Sequence, residues 1–153
     1  MCLGRYPEAG RRRGTTVWAS DFASLPALGK PVTLPFPEDD WNCYIYVDDV
    51  AEQVYRLTTK VALTHRVYNS GGHTLLAREP AALVREIVPG AEIEFSPEKP
   101  HSPFVYRLDD RRIREELGFS LRSMREGVHD HIDKVRRLGS EPTRQFAGAS
   151  PSN

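Results

Sequence analysis

Residues 43–52 read Cys-Tyr-Ile-Tyr-Val-Asp-Asp-Val-Ala-Glu, and this stretch decides the fold. The run from Cys43 to Val47 is rich in aromatic and β-branched side chains, which predicts a strand packed on both faces. The apolar period then changes, and Asp49 with Glu52 resembles a capping box at a helix start. The stripe of that predicted helix consists of Val50, Val54, Leu57 and Val61. A buried strand that runs directly into a helix predicts α/β packing.

Similar patterns predict the other elements. Further helices are expected at residues 15–28, before Pro89, at 110–117 and from Met124, and extended segments at 31–36, 65–69, 91–95 and 105–108. Gly29 is expected to end the first of these helices. Ser123 and Glu126 form a second capping box, and the last helix has an apolar stripe of Met124, Val128, Ile132 and Val135. The three prolines of 96–103 predict a surface loop. The predicted organisation is a loop or arm at 1–14, an α/β domain at 15–138 and a disordered tail at 139–153.

Composition restricts the partners and the compartment. The chain has 153 residues with 21 Lys and Arg against 21 Asp and Glu, so it lacks the basic excess of a nucleic-acid or anionic-membrane binder. No apolar run approaches the roughly 20 residues that a membrane span needs, and the first residues do not resemble a secretory signal. Cys2 and Cys43 are predicted to stay reduced. We therefore expect a cytoplasmic protein.

Several short motifs have a structural and a functional interpretation. The loop Asn69–His73 presents two glycines and could bind an anion, but a plain turn is favoured. The carboxylates of Asp48 and Asp49 are expected to cap the following helix rather than bind a metal. His129 and His131 point to different sides of a helix, which favours a solvated face over a metal site. Arg11–Arg13 is interpreted as a solvated basic run.

Three blocks in the chain resemble the NAD-dependent epimerase/dehydratase family, which comprises extended short-chain dehydrogenase/reductases. They are residues 44–51, 67–72 and 109–119, in the family's order, within a resemblance that covers roughly residues 3–137. The blocks correspond to the family's C-terminal, substrate-binding part. The resemblance therefore implies a partial extended short-chain dehydrogenase/reductase fold that lacks the N-terminal Rossmann half.

In that family a glycine-rich loop binds NAD or NADP, and a Tyr-x-x-x-Lys pair mediates proton transfer. The sequence contains no Gly-x-x-Gly-x-x-Gly, and its nearest pair, Tyr55 and Lys60, has four intervening residues. Five residues of helix turn through about 500°, so these two groups diverge. We assign no catalytic, cofactor-binding or metal-binding residue to this chain, and NAD or NADP is implied only for full-length members of the family.

The resemblance implies four substrate-binding residues. Arg5 and Tyr6 lie in a segment similar to the loop that borders nicotinamide and substrate, and Trp41 and the 96–103 loop are placed beside the same pocket. Asn42 stands where nucleotide-sugar enzymes of the family often have an arginine that holds a phosphate. An amide is a weaker phosphate ligand than a guanidinium, which favours an uncharged or small polar substrate.

Two functions follow from these observations. The first is the substrate-binding portion of an epimerase/dehydratase-like oxidoreductase or isomerase, truncated and inactive alone, that acts on a sugar-like or small polar molecule. The alternative is a non-catalytic interaction module that pairs with a Rossmann-bearing chain or with itself. For that alternative we expect exposed apolar faces that include Val17, Trp18 and Phe22.

Overall fold

The computed structural model describes residues 2–3 and 17–140. The elements are β1 (Cys2–Leu3), α1 (Trp18–Ala27), β2 (Val32–Leu34), β3 (Trp41–Tyr46), α2 (Val47–Thr59), β4 (His73–Leu76), α3 (Arg78–Ile87), β5 (Ile93–Phe95), α4 (Arg111–Leu117) and α5 (Met124–Ser140). This alternation confirms the predicted α/β class. Most of the predicted N-terminal arm, together with Arg5, Tyr6 and Arg11–Arg13, lies outside the described residues, as does the chain beyond Ser140.

Two small sheets organise the described residues. In the first, β3 lies in the middle, with β1 parallel on one side and β4 antiparallel on the other. The second pairs β2 with β5 in parallel, with Val32 opposite Ile93. The strand pattern predicted around residues 43–47 is confirmed, because every residue of β3 except Trp41 is buried. The helix begins one residue earlier than expected, at Val47.

Helices α1, α3 and α5 pack together over one face of the central sheet and form the core. Trp18 and Phe22 of α1 contact Tyr44 of β3 edge to face, with ring centroids 6.3 and 6.1 Å apart. Both side chains are buried, so the expectation that they form an exposed apolar face is wrong. The reason is that α1 turns this stripe onto β3, a strand of the same chain.

The sequence signals predicted for the end of α1 and for the start of α5 are confirmed. Gly29 has a φ of 68°, and the amides of Gly29 and Lys30 donate to the carbonyls of Pro26 and Leu25. This is the Schellman arrangement that a left-handed glycine after a helix allows. At the start of α5 the amide of Glu126 donates to Ser123 Oγ, and the amide of Ser123 donates to Glu126 Oε2 at 2.7 Å. The capping box therefore forms with both reciprocal hydrogen bonds.

Two predicted strands are absent from the described residues. Segments 65–69 and 105–108 are irregular, and Val67 and Val105 are exposed. A strand needs a neighbour to complete its backbone hydrogen bonds, and no described strand pairs with either segment. The strand that does form is β4, which pairs with β3 with His73 opposite Tyr44. Strand propensity alone was therefore misleading at both places.

Helix α2 buries polar residues, whereas its apolar stripe predicts that apolar residues are buried. Its two buried residues are Asp49 and Gln53. By contrast, Val54 and Tyr55 have exposed fractions of 53% and 64%, and Val61, just beyond the helix, is fully exposed. The helix itself is confirmed, but Val50 and Leu57 of its stripe are only partly buried, and Val54 and Tyr55 face away from the described residues.

Candidate functional site

An open cleft of about 350 Å³ lies between the start of α1 and the proline-rich loop. We call it the 100–104 cleft. Its lining residues are Trp18, Pro35, Phe36, Pro100, His101, Ser102, Pro103 and Phe104. Trp18 and Phe36 pack edge to face with ring centroids 4.5 Å apart, so one wall is aromatic and held in place by the core. The cleft is mostly apolar with a few polar groups, a composition typical of small-molecule sites.

A buried carboxylate, Asp40, fixes the loop that forms the other wall. His101 Nδ1 lies 2.9 Å from Asp40 Oδ1, and the amide of Ser102 donates to the same oxygen at 3.1 Å. Asp40 itself is positioned by its backbone carbonyl, which accepts from the amide of Ala77 at 2.8 Å. Because these bonds are made by an ionisable group that is 2% exposed, they stabilise the loop strongly.

Asn42 lies beside this carboxylate and is 1% exposed. Its Nδ2 donates to Asp40 Oδ2 at 3.1 Å, while its Oδ1 has no hydrogen-bond partner among the described residues. The neighbouring phenol of Tyr44 is neutral at physiological pH, because burial and the charge of Asp40 raise its pKa above the usual range despite a hydrogen bond from Asn42. An acid, an amide and a neutral phenol are thus buried behind the loop wall of the cleft, and none of the three lines the cleft itself.

The structure does not bring Trp41 and Asn42 to the same place. Successive side chains of a strand point to opposite faces, and Asn42 takes the face that carries Tyr44 and the core helices. The Trp41 ring lies on the other face, with its centroid 6.3 Å from that of Tyr106. Of the four residues predicted to bind substrate, Asn42 is buried beside Asp40 and does not line the 100–104 cleft, and Arg5 and Tyr6 lie outside the described residues.

A second polar cluster joins the start of α2 to α5. Arg122 Nε donates to Asp49 Oδ1 at 2.8 Å, and Lys134 Nζ donates to Asp48 Oδ2 at 2.6 Å. No side-chain cap is present at the start of α2, so the predicted capping role of Asp48 and Asp49 is wrong. Both carboxylates instead form ion pairs with residues more than seventy positions away. These partners could not be predicted from local sequence patterns, because they are far away in the sequence.

The same cluster contains a tyrosine and a lysine in direct contact. Lys134 Nζ lies 3.1 Å from the Tyr46 hydroxyl, which donates to Asp130 Oδ2 at 2.6 Å. Burial and the hydrogen bond to Asp130 raise the pKa of Tyr46 to about 12, although Lys134 lowers it. Tyr46 therefore keeps its proton near neutral pH and is unsuited to accept one. Within this cluster, the i, i+4 spacing of Asp130 and Lys134 is a sequence pattern that predicts an ion pair on a helix.

The glycine loop after residue 69 packs against its own chain. A Cβ at Gly71 would lie 2.6 Å from that of Asp110, and one at Gly72 would lie 2.5 Å from Cys43 Sγ. Both glycines also have a positive φ, which supports the favoured interpretation as a turn. A carboxylate against Gly71 would repel a phosphate. This loop therefore does not fit the phosphates of the dinucleotide that the resemblance implies for whole family members.

His131 is buried, and its Nε2 lies 2.8 Å from Ser24 Oγ. The predicted solvated face is therefore wrong for His131, because α5 turns this residue toward α1. His129 is exposed and pairs with Asp133 at 3.2 Å. Within residues 2–3 and 17–140, no group of three or more His, Cys, Asp or Glu side chains is arranged to hold a metal ion.

A polar groove of about 380 Å³ lies on another side, lined by His65, Val67, Asn69, Asp109, Arg111, Arg112 and Glu115. Arg111 donates to both carboxylate oxygens of Asp109, from Nε at 3.0 Å and from Nη2 at 2.7 Å. The charge of the Arg111 guanidinium is therefore already neutralised within the groove. The 100–104 cleft is therefore the better candidate for a ligand.

Comparisons with solved structures identify this arrangement. The chain matches a GalE-like L-threonine dehydrogenase from Cupriavidus necator in its holo form, with 26% identity, a TM-score of 0.72, and coverage of 88% of this chain and 45% of that one. UDP-glucose 4-epimerase from Thermotoga maritima matches with 22% identity and a TM-score of 0.68, over 90% and 44% of the two chains. The fold of the chain described here is that of an extended short-chain dehydrogenase/reductase.

A third match has NAD in its structure. UDP-glucuronic acid 4-epimerase from Bacillus cereus, solved with a fluorinated substrate analogue and NAD, is 20% identical with a TM-score of 0.66, over 90% of this chain and 43% of that one. The chain thus spans about half the length of the structures that it matches, and its fold is partial. No protein-family model and no curated protein matches it.

The resemblance to the NAD-dependent epimerase/dehydratase family is confirmed at the level of the fold. Within the described ranges, none of the helices is both long and apolar enough to cross a bilayer.

Proposed function

We propose that this chain is the substrate-binding portion of an NAD(P)-dependent epimerase/dehydratase-like oxidoreductase and that it is inactive alone. The match to extended short-chain dehydrogenase/reductases over about half of their length supports the first part. The absence of a glycine-rich loop and of a Tyr-x-x-x-Lys pair from the sequence supports the second. We place the activity in the cytoplasm, in keeping with the reduced cysteines predicted from the sequence.

The substrate that fits this portion best is a small hydroxy compound with a polar or cationic group, such as a 2-amino-3-hydroxy acid, rather than a diphosphate sugar. The observation that carries this proposal is the lining of the 100–104 cleft, which is mostly apolar and contains no lysine or arginine. The buried carboxylate of Asp40 lies behind its His101 wall, and a site without a fixed cation beside a carboxylate is unfavourable for a diphosphate. The L-threonine dehydrogenase also matches with a higher TM-score and identity than the two epimerases.

The substrate is tested by titrating the ¹⁵N-labelled chain with L-threonine and, separately, with UDP-glucose. The two tryptophans are matched reporters, because Trp18 lines the cleft and Trp41 lies on the opposite face of β3. We expect L-threonine to shift the indole signal of Trp18, and His101→Ala, which changes the lining of the cleft, to weaken that shift. Tighter binding of UDP-glucose, or a shift of Trp41 alone, would contradict the proposed substrate and site.

Inactivity is tested by incubating the purified 153-residue chain with NAD and L-threonine and following absorbance at 340 nm. The expected result is no NADH formation above the rate without protein. NAD-dependent turnover by this chain would show that it contains the reacting groups that we do not assign to it.

The second candidate function is a non-catalytic module that pairs with a separate Rossmann-bearing chain. The outward apolar side of α2 favours it. Intact mass of the endogenous protein distinguishes the two. A mass near 17.3 kDa means a separate short chain, whereas about twice that mass means that the missing half is part of the same polypeptide.

A further inference from the structure

The loop wall of the 100–104 cleft contains an imidazole that is held by a buried carboxylate. His101 Nδ1 lies 2.9 Å from Asp40 Oδ1, and the His101 side chain is 65% exposed whereas Asp40 is buried. The Ser102 amide donates to both oxygens of Asp40, at 3.1 and 3.2 Å, and Asn42 Nδ2 donates to Oδ2 at 3.1 Å. Because both oxygens already accept and an ionised carboxylate only accepts, Nδ1 of His101 is the donor in the remaining bond.

The other ring nitrogen of His101 is available to a ligand. Among residues 2–3 and 17–140, Nε2 has no hydrogen-bond partner, and His101 lines the cleft. In a neutral imidazole with its proton on Nδ1, Nε2 is a hydrogen-bond acceptor. Asp40 therefore influences the cleft through His101, because it determines which nitrogen accepts and holds the ring in one orientation.

The remaining lining of the cleft favours a cation with a small apolar body. Trp18, Phe36 and Phe104 supply three aromatic rings, and such rings attract cations. The lining contains no lysine or arginine, and the His101 side chain is backed by the negative charge of Asp40. The Trp18 indole is a donor only. A positively charged N–H donor thus fits this cleft better than an anion does.

We propose that His101 anchors a primary ammonium group of the ligand, with Nε2 accepting an N–H hydrogen bond while the aromatic wall packs against the apolar part of the ligand. This inference rests on the proposed function for its site, and it names the group of the 2-amino-3-hydroxy acid that the cleft recognises. Asp40 is a positioning residue, since it acts through His101. A hydrogen bond with a charged donor is about twice as strong as a neutral one, so the ammonium group rather than the hydroxyl group governs selection.

Three small probes of similar size separate charge from hydrogen bonding. Isopropylammonium has a positive charge and N–H donors, tetramethylammonium has the charge without a donor, and isobutyrate has a similar shape with a negative charge. Each is titrated into the ¹⁵N-labelled chain at pH 8, where histidine side chains are ordinarily neutral. The indole signal of Trp18 reports on the cleft, and that of Trp41, on the opposite face of β3, is the control.

We expect isopropylammonium to shift the Trp18 signal and to bind about ten-fold or more tightly than tetramethylammonium, because only the first can donate to Nε2. Isobutyrate is expected to leave Trp18 unchanged. Neither cation should shift Trp41.

His101→Phe keeps a flat ring of similar size but has no acceptor nitrogen. It should weaken binding of isopropylammonium about ten-fold and change that of tetramethylammonium by less than about two-fold. The side chain of His101 is largely exposed, and Asp40 keeps its donors from Ser102 and Asn42, so the variant is expected to fold. His129→Phe is the matched control, an exposed histidine of α5 that pairs with Asp133, and should change neither affinity.

The positioning role of Asp40 has a separate readout in the tautomer of His101. The ¹⁵N shifts of the two ring nitrogens show which one carries the proton. We expect the proton on Nδ1 in the unsubstituted chain and a smaller population of that tautomer in Asp40→Asn. A proton mainly on Nε2 in the unsubstituted chain overturns the proposal without any variant.

The binding experiments can also overturn the proposal. Equal affinities for the two cations mean that the aromatic rings alone hold the charge, and tighter binding of isobutyrate means an anion site. Unchanged binding of isopropylammonium in His101→Phe excludes His101 as the anchor.

These failures are distinguishable from failure of the proposed function. An L-threonine shift of Trp18 that persists undiminished in His101→Phe contradicts the anchoring role alone. Binding of isopropylammonium without binding of L-threonine contradicts the proposed substrate alone. A Trp18 signal that responds to none of these molecules overturns both.

Discussion

Helices α5 and α2 both carry apolar residues at helical spacing, but α5 buries them whereas α2 leaves Val54 and Tyr55 exposed. In α5, Val128 and Ile132 are fully buried against α1 and α3, and the opposite side is solvated. In α2 the apolar side faces outward, while Asp49 and Gln53 are buried. The difference shows that a helix is oriented by its best-satisfied side, and for α2 that side is set by ion pairs with residues from α5 and the segment before it.

The largest expected effect tests the role of the α5 stripe. Ile132→Ala should lower the free energy of unfolding by about 3 kcal/mol, because it leaves a cavity at a fully buried site. Urea unfolding of the isolated chain measures this loss. Leu138→Ala, at an exposed position of the same helix, is the control and should cost less than about 1 kcal/mol. Equal losses would mean that α5 is not anchored by its buried stripe.

The next effect tests the ion pairs that orient α2. Asp49→Asn should cost about 2 kcal/mol, because it removes the charge that pairs with Arg122 and replaces one of the two buried acceptor oxygens by an amide donor. Asp48→Asn is the matched control on the adjacent residue. Its side chain is 45% exposed, so the loss should be about 0.5 kcal/mol. A larger loss for Asp48→Asn than for Asp49→Asn in urea unfolding would contradict this account.

A smaller effect distinguishes how the two helices begin. Ser123→Ala removes the hydroxyl that accepts from the Glu126 amide and should cost about 1 kcal/mol. Helix α2 has no side-chain cap, so Tyr46→Phe should leave the helix start intact while breaking the bond to Asp130. Hydrogen exchange of the first-turn amides of α5 and α2 measures the two variants. Faster exchange in α5 with Ser123→Ala, but unchanged exchange in α2 with Tyr46→Phe, is expected.

The pH dependence tests the link between Asp130 and Lys134. Burial raises the pKa of Asp130, but the hydrogen bonds from Lys134 and Tyr46 and the nearby cations outweigh it and hold the pKa below its ordinary value. A carboxyl with a lowered pKa in the folded state stabilises the fold above its unfolded pKa of about 3.9, and this stability is lost as the pH falls through the folded value. Urea midpoints measured from pH 6 to 2.5 should fall less in Lys134→Met than in the unsubstituted chain. Parallel curves would exclude the linkage.

The smallest effect is expected on the outward side of α2. Val54→Ala should change the free energy of unfolding of the purified chain by less than about 0.5 kcal/mol, since Val54 is already 53% exposed. The measurement is again urea unfolding, with Ile132→Ala as the large reference. A loss comparable to that of Ile132→Ala would mean that Val54 is buried in solution and that α2 and α5 do not differ as described.

Much of the fold was predictable because its signals are local. The buried strand at 43–47, the glycine after α1, the capping box of α5 and the stripe on that helix depend on residues within a few positions of each other, and all are confirmed. The candidate site was predictable only in part. Asn42 is buried beside Asp40 and does not line the 100–104 cleft, Trp41 lies on the opposite face of the strand, and Asp40 was not singled out.

The sequence by itself determined the α/β class, most element positions and the resemblance to the epimerase/dehydratase family, because propensities, caps and motifs act over short distances. Only the tertiary structure decided that Asp40 holds the His101 loop, that Asp48 and Asp49 form ion pairs instead of capping α2, and that α2 turns its apolar side outward. Each of these outcomes depends on partners about sixty to eighty-six positions away in the sequence. A local sequence pattern does not indicate which distant charged residue will lie next to a given carboxylate in the folded chain.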